Sequence, residues 1–282
     1  MSGSCEICAG DLVSVDLSRG GRVFSCDRCG HIIRSLEQCP ANHRSEAYGG
    51  DPALDRGRLA LTYRALTARG TPESVFEIGY GSGALLRRFA DAEAAIGGVD
   101  PDQLGVGVDP EVVRRGSLWH GTMEDVPDGA FRADLVYGVH VIEHVADPMR
   151  AIRKASTLLK DGGRLVLLTP AADSWGLSTF GSAWWMLEDP THVRFFTRAS
   201  LGEAARRAGF ANIRVDRLIL DSLTVDAASV ARMVRPPGPA GALASRTVMA
   251  AGLATAPIVA AMRLVSPRTR PTLRLTAQWV AP

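Results

Sequence analysis

The stretch Ser74–Ile78, followed by Gly79-Tyr80-Gly81-Ser82-Gly83 and then by Ala84–Ala90, constrains the fold of this chain more than any other feature. A short run of Val, Phe and Ile reads as a buried strand, and the spacing after it reads as a helix. Between them stand three glycines at alternate positions. Glycine is needed where a backbone turns sharply and lets a ligand approach within van der Waals contact. Further strand signals follow at Leu104–Val108, Ala133–Tyr137 and Arg164–Leu168, with helices predicted to start near Ala84, Pro110 and Pro148. Strands separated by helices of this length imply βαβ units and a doubly wound, mostly parallel sheet, so the fold class is α/β and Rossmann-like.

A nucleotide cofactor on such a turn needs an acid at the end of the next strand, where a carboxylate accepts both ribose hydroxyls. Asp109 is preferred over Asp100 for this role, because a strand signal precedes it and the helical Glu111-Val112-Val113 follows. Beyond Pro170 lies an irregular stretch with three of the five tryptophans, Trp175, Trp184 and Trp185. A helix is predicted over Arg198–Arg207, with Thr197 or Ser200 as N-cap, Glu203 completing a capping box from Ser200, and Gly209 as the stop. Strands are predicted at Ile213–Ile219 and Thr272–Val280.

Cysteine is confined to the first 39 of 282 residues. Cys5-x2-Cys8 and Cys26-x2-Cys29 are two knuckles of the kind that bring four thiolates around one zinc ion. Four thiolates leave no open position, so this zinc is expected to be structural. Cys39 reads as a plain small residue, and His31 and His43 are not required as ligands. Short apolar runs among Gly and Cys pairs mark residues 1–38 as a zinc ribbon of small hairpins. Residues 39–72 form a connector with a helix around Arg56–Arg69, and 73–282 form the main domain. That domain is expected to carry a lid (171–192) and an apolar, arginine-rich insertion (222–271).

The apolar share of 46% and charged share of 22% exclude wholesale disorder, and a net charge of +2 excludes a chain that binds polyanions along its whole length. The charge is unevenly placed. Asp226 is the last acidic residue, so 1–226 carry −5 and 227–282, with seven arginines, carry +7. The first ten residues show neither a basic n-region nor an apolar core, so a cytoplasmic location is expected. The uncharged run Thr247–Met262, flanked by Arg246 and Arg263, is short for a span and interrupted by Pro257. It reads as a helix that covers the protein itself, or as peripheral membrane contact through 227–275.

With Glu77 just ahead of it, the glycine turn resembles motif I of the class I S-adenosylmethionine-dependent methyltransferases (type 11/23-like). Gly121–Pro127, Asp134–Tyr137, Val141–Pro148, Leu158–Leu165 and Thr169-Pro170 continue the resemblance for more than a hundred residues. It implies a seven-stranded Rossmann-like sheet and S-adenosylmethionine as cofactor. Residue by residue it implies Glu77 near the methionine amino end and Gly79, Tyr80, Gly81 and Gly83 as the floor. Asp109 would lie on the ribose, Met123 and Glu124 beside the adenine, and 138–140 along the sulfonium.

An acceptor hydroxyl loses a proton near the moment of attack, and histidine is the usual base at neutral pH. His140, His144 and His192 compete for that role. His144 in Glu143-His144 suits a cofactor-wall role, and His140 borders either ligand. His192 is preferred, because His192–Thr197 resembles the His-x-x-aromatic-aromatic-(Ser/Thr) stretch of zinc-ribbon sugar C-methyltransferases, although Thr191 stands where those relatives have Glu. The tryptophans of 171–192 are expected to form an acceptor lid with an apolar floor.

The expected activity is methyl transfer to a small molecule, most simply a hydroxyl of a sugar, glycoside or secondary metabolite, with a lipid-linked acceptor also in view. Alternatives are sugar C-methylation, rRNA methylation and a non-catalytic zinc-ribbon scaffold. Residues 1–72 contain no lysine and no basic-aromatic stripe, which argues against nucleic acid as a partner. The oligomeric state is not legible.

Overall fold

The structure is a computed structural model that describes residues 3–34, 52–101, 105–235 and 241–281, with the side chains of 52–55 left aside. In chain order the elements are β1 (Leu12–Asp16), β2 (Arg22–Cys26), β3 (Ile32–Ile33), α1 (Pro52–Leu66), β4 (Ser74–Ile78), α2 (Ala84–Asp91), β5 (Ala95–Asp100), α3 (Pro110–Arg115) and β6 (Ser117–His120). Then follow β7 (Ala133–Val139), α4 (Pro148–Thr157), β8 (Leu159–Pro170), α5 (Trp175–Phe180), β9 (Arg194–Phe195), α6 (Arg198–Arg207), β10 (Ala211–Arg217), α7 (Val225–Val234), α8 (Arg246–Val265) and β11 (Thr272–Gln278). The chain divides into two compact units. One comprises Met1–Gly50, Thr169–Leu201 and Asp216–Leu273; the other comprises Asp51–Leu168, Gly202–Val215 and Arg274–Pro282.

The second unit carries a seven-stranded sheet in the order β10-β11-β8-β7-β4-β5-β6. The four pairings from β8 through β6 are parallel. β4 is buried at every position, as a central parallel strand covered on both faces must be. α2 turns Leu85, Leu86, Phe89 and Ala90 inward, and Tyr63 of α1 meets Phe89 at 4.9 Å between ring centroids. α4 begins on Asp147, whose carboxylate accepts the Arg150 N–H, with Pro148 in the first turn where its missing N–H costs nothing.

One expected strand is misplaced. Leu104 lies outside the described residues, and 105–108 belong to no strand; the second strand of the sheet is β5, ending at Asp100. Its sequence, Ala-Ile-Gly-Gly-Val-Asp, hides it. A Cβ on Gly97 would stand 2.9 Å from the Phe131 ring, and one on Gly98 would stand 2.9 Å from the Tyr80 ring. Close packing therefore takes glycine where a strand pattern looks for Val or Ile. β6 was also not expected.

The first unit holds a four-stranded sheet, β1-β2-β3-β9. Its edge strand comes from far along the chain: Ile32 pairs with Phe195 and Ile33 with Arg194, antiparallel. Arg194 is buried and forms a fork to Glu6, Nε to Oε1 at 2.7 Å and Nη2 to Oε2 at 3.1 Å. His31, fully buried, shares the same carboxylate at 2.9 Å and lies against Phe196. The ribbon residues and the segment after the expected lid thus form one body, a grouping that differs from the linear division read from sequence. Cys39 and His43 lie outside the described residues.

Within the tryptophan-rich stretch Trp184 is a core residue of this unit, whereas Trp175 and Trp185 are half-buried. Trp184 is 1% exposed and packs with Phe180, Met186, Leu187, Phe195 and Val225, with Leu17 and Ile32 of the ribbon against the same cluster. Gly176 is required beneath it, since a Cβ there would meet the indole Nε1 at 2.4 Å. At α6 the cap is Thr197: its hydroxyl accepts the Ser200 N–H at 3.0 Å while the Ser200 hydroxyl accepts the Thr197 N–H at 2.9 Å. Ser200 thus takes the partner's place in the box, and Glu203, expected there, binds Arg206 and Arg207 instead.

Trp184→Ala should therefore lower stability by about 3–5 kcal/mol, the range for deleting a buried aromatic side chain. Urea unfolding with an unchanged slope would show this, and a loss below about 1 kcal/mol would contradict the core role.

Candidate functional site

Parallel sheets bind ligands outside the carboxyl ends of their strands, at the point where the strand order reverses. Here β4 is that point: the chain passes from β4 to β5 on one side and later returns to β7 on the other. Ile78 is in register with Val99 and with Gly138, so Gly79, Asp100 and the turn after β7 all leave the sheet together.

The glycine turn is held from both sides. The Gly79 N–H donates to the Val99 carbonyl at 2.8 Å and the Gly83 N–H to the Tyr80 carbonyl at 2.8 Å. Gly79, Gly81 and Gly83 have φ of 73°, 50° and 75°, where a side chain would be strained. A Cβ on Gly79 would also meet Val141 at 2.7 Å, whereas one on Gly81 would enter open space. A ligand lying over this turn has room at Gly81 and a close floor at Gly79.

Asp100 anchors the turn. Its Oδ2 accepts the Gly81 N–H at 2.8 Å, and its main-chain carbonyl accepts the Gly121 N–H at 3.0 Å. The acid at the end of the strand beside the glycines is therefore Asp100, and no strand precedes Asp109. Asp109 is the N-cap of α3, its Oδ1 accepting the Glu111 N–H at 2.8 Å and the Val112 N–H at 3.3 Å. Partial desolvation raises its carboxyl, but those two amides and the Arg87 guanidinium outweigh this and hold it below the usual range. Its backbone N–H still reaches the turn, donating to the Ser82 carbonyl at 2.9 Å.

Glu77 is buried at the end of β4 and accepts the Tyr137 hydroxyl at 3.0 Å. Burial pushes its carboxyl well above the ordinary range, against the Tyr137 hydrogen bond, and the Asp100 charge adds to the rise. Met123 is buried and Glu124 half-buried in a short turn fixed by Thr122 and Asp125. The Thr122 N–H and hydroxyl donate to Asp125 Oδ2 at 2.7 and 2.8 Å. This reciprocal cap was missed in the sequence, although Thr-x-x-Asp is a legible signal.

After β7, His140 adopts a φ of 53°, uncommon outside glycine, with its N–H on the Leu168 carbonyl at 2.9 Å. Its Nδ1 lies 3.3 Å from Oε1 of the buried Glu143. The His144 N–H closes the same turn on the Val141 carbonyl at 3.0 Å. Glu77, Gly79, Tyr80, Gly81, Gly83, Met123, Glu124, His140 and His144 thus all belong to the unit that holds the switch point.

A profile of the methyltransferase domain matches residues 53–215, more than half of the chain. The chain belongs to that family. Among curated relatives, the chain is 27% identical over 150 residues to the chloroplastic 2-methyl-6-phytyl-1,4-hydroquinone methyltransferase of Arabidopsis thaliana, covering 51% of this chain and 42% of that one. It is 29% identical over 167 residues to a ubiquinone biosynthesis O-methyltransferase of Azorhizobium caulinodans, covering 53% and 63%. The matched stretch thus spans less than two thirds of either relative. In fold, the chain is similar to phosphoethanolamine N-methyltransferase 2 of Haemonchus contortus, solved with S-adenosyl-L-methionine. That likeness has a TM-score of 0.55 at 17% identity and covers 80% of this chain and 53% of that one.

In the other unit the four cysteines are buried, and their Sγ atoms all lie within 4.8 Å of one another. Cys5 and Cys29 are 3.7 Å apart, and Cys8 and Cys26 3.4 Å. A tetrahedron with zinc–sulfur bonds of about 2.3 Å has edges of about 3.8 Å, so the donor set and its spacing suit that ion. Burial pushes the Cys5 thiol up to about 11 and raises that of Cys29 too. His31 is turned to Glu6 and stands outside this cluster.

His192 is 5% exposed, and its Nδ1 lies 2.7 Å from the Met186 carbonyl oxygen. A carbonyl only accepts, so Nδ1 carries the ring proton and the neutral ring has its lone pair on Nε2.

Proposed function

We propose that this methyltransferase moves a methyl group from S-adenosylmethionine to a hydroxyl of a small molecule, a sugar, a glycoside or another secondary metabolite. The observation that carries the reading is the Asp100 carboxylate on the Gly81 N–H beside open space at the switch point. One Asp100 oxygen takes that amide, and a carboxylate has further lone pairs for ribose hydroxyls. Gly79, Gly81 and Gly83 would form the floor, Glu77 would lie at the methionine end, and Met123 and Glu124 at the adenine. When bound, S-adenosylmethionine supplies an electrophilic methyl on a cationic sulfur, a transfer that requires alignment and no metal.

His192 is the proposed base. The Met186 carbonyl holds the ring proton on Nδ1, which makes Nε2 the basic nitrogen of the neutral ring. Zinc in the four-cysteine cluster is proposed as structural, since four thiolates close its coordination. A second reading concerns the acceptor: the exposure of α8, with only Gly252 and Arg263 buried along it, favours a lipid-linked hydroxyl reached at a membrane surface. Two relatives bear the names of a phytyl hydroquinone and of ubiquinone biosynthesis, which supports that class.

Calorimetry with S-adenosylmethionine and S-adenosylhomocysteine tests the cofactor seat. Asp100→Ala should weaken both by about 10-fold or more, the loss of a charge-assisted hydrogen bond or two, while Asp109→Ala should change affinity by less than threefold or so. The reverse ranking would restore Asp109, and no heat with wild type would remove the cofactor altogether.

His192→Gln should reduce S-adenosylhomocysteine release with hydroxylated acceptors by about 10²–10⁴-fold and leave cofactor affinity unchanged. A turnover within about threefold of wild type rules the base out. Metal analysis should find about one zinc per chain, lost together with cooperative unfolding in Cys5→Ser/Cys29→Ser. Metal-free protein that melts like wild type would contradict the structural zinc.

A further inference from the structure

Beside the end of α8 the first unit holds a cavity of about 520 Å³ lined by Asp173, Ser174, Trp175, Arg198, Arg217 and Arg268, among others. Its electrostatics are unbalanced. Arg217, nearly buried, places Nη2 2.7 Å from Asp173 Oδ1 and 2.9 Å from the Asp173 carbonyl oxygen. The other Asp173 oxygen accepts the Arg198 main-chain N–H at 3.3 Å. The lining thus holds three arginines to one carboxylate. The wall also contains a buried hydroxyl, Ser174 Oγ, for which the described residues offer no hydrogen-bond partner. A buried unpaired hydroxyl is unfavourable unless a ligand or water completes it. Guanidiniums with a hydroxyl donor suit the oxygens of a phosphate.

The same unit also carries exposed apolar residues. α8 leaves Leu253, Ile258, Met262, Leu264 and Val265 exposed, and Leu220, Val230 and Val234 are exposed in the same unit. Val265, the last residue of α8, is 87% exposed and stands three positions before Arg268. Soluble proteins rarely leave apolar helices of this length uncovered. By length and composition α8 is suited to crossing a membrane, but its inner side is tied down. Arg263 is fully buried, with Nη2 3.2 Å from Asp226 and further bonds to the Asp221 and Ser222 carbonyls. Gly252 lies so close to Thr224 that a Cβ would stand 3.0 Å from it. Inserting α8 across a bilayer would strip a charged pair of its partners, whereas lying in the interface keeps them.

We propose that the cavity between Asp173 and Arg268 binds the phosphate of an anionic lipid headgroup, with the exposed face of α8 lying in the adjoining acyl layer. The inference rests on the membrane-surface reading of the acceptor and names the headgroup contact. No Asp or Glu follows Asp226, so the surface that meets the lipid carries cationic charge without a carboxylate from its own segment.

Flotation of the full chain with vesicles of phosphatidylcholine, with and without phosphatidylglycerol, tests both. Binding is expected only with phosphatidylglycerol. Arg198→Gln/Arg268→Gln should weaken it about tenfold or more, and Arg235→Gln/Arg246→Gln, which removes equal charge outside the cavity, by a clearly smaller factor. Unchanged melting temperature and cofactor affinity in both double variants show that folding and the cofactor seat are intact. Equal losses in the two pairs, or equal binding to both vesicle types, overturn the headgroup site and leave the membrane surface standing. No binding to any vesicle overturns both, and so does binding of free glycerol 3-phosphate by protein that ignores vesicles.

Discussion

A single aspartate ties together the parts that a nucleotide site needs. Asp100 spends its side chain on the Gly81 amide and its main chain on the Gly121 amide, so the glycine turn, the end of β5 and the Met123 turn move as one. The glycines alone would leave a strained and loosely placed loop. With a carboxylate beneath Gly81 and Val141 packed under Gly79, the positive φ angles become a fixed shape with open space above the middle glycine. Preorganisation of this kind lowers the ordering a ligand must impose.

The ribbon is built on a different principle. Two-stranded hairpins are marginal alone, and this one is completed by β9, by the Glu6 fork to the buried Arg194, and by an apolar cluster around Trp184. Buried charge pairs cost desolvation, yet removing one partner is worse than having neither. Glu6, His31 and Arg194 tie the N-terminal sheet to the 169–201 segment. Trp184, with Trp185 packed against its cluster, joins these pieces.

Much of the sheet was legible because its apolar strands and proline-started helices repeat a simple pattern. β4, β7, α2, α3 and α4 begin where Ser74, Ala133, Ala84, Pro110 and Pro148 indicate. β5 was not legible, because tight contacts with Phe131 and Tyr80 put glycines where strand residues were sought. The repeated Gly-Val-Asp-Pro drew the strand, and with it the preference between the two acids, toward Asp109. The cysteine cluster was legible from spacing alone. The burial of Trp184 was not legible, because packing with Leu17 and Ile32 from the far end of the sequence leaves no local trace. The fixed tautomer of His192 likewise depends on a carbonyl that no side-chain pattern reveals.

The most direct measurement of the cofactor cradle is hydrogen exchange with and without S-adenosylhomocysteine, read by mass spectrometry. A seat on Asp100 predicts slower exchange in peptides covering 79–83 and 121–125 when the ligand is present, with 105–112 little changed. Slowing confined to 105–112, or no slowing anywhere in these segments at saturating ligand, would contradict it.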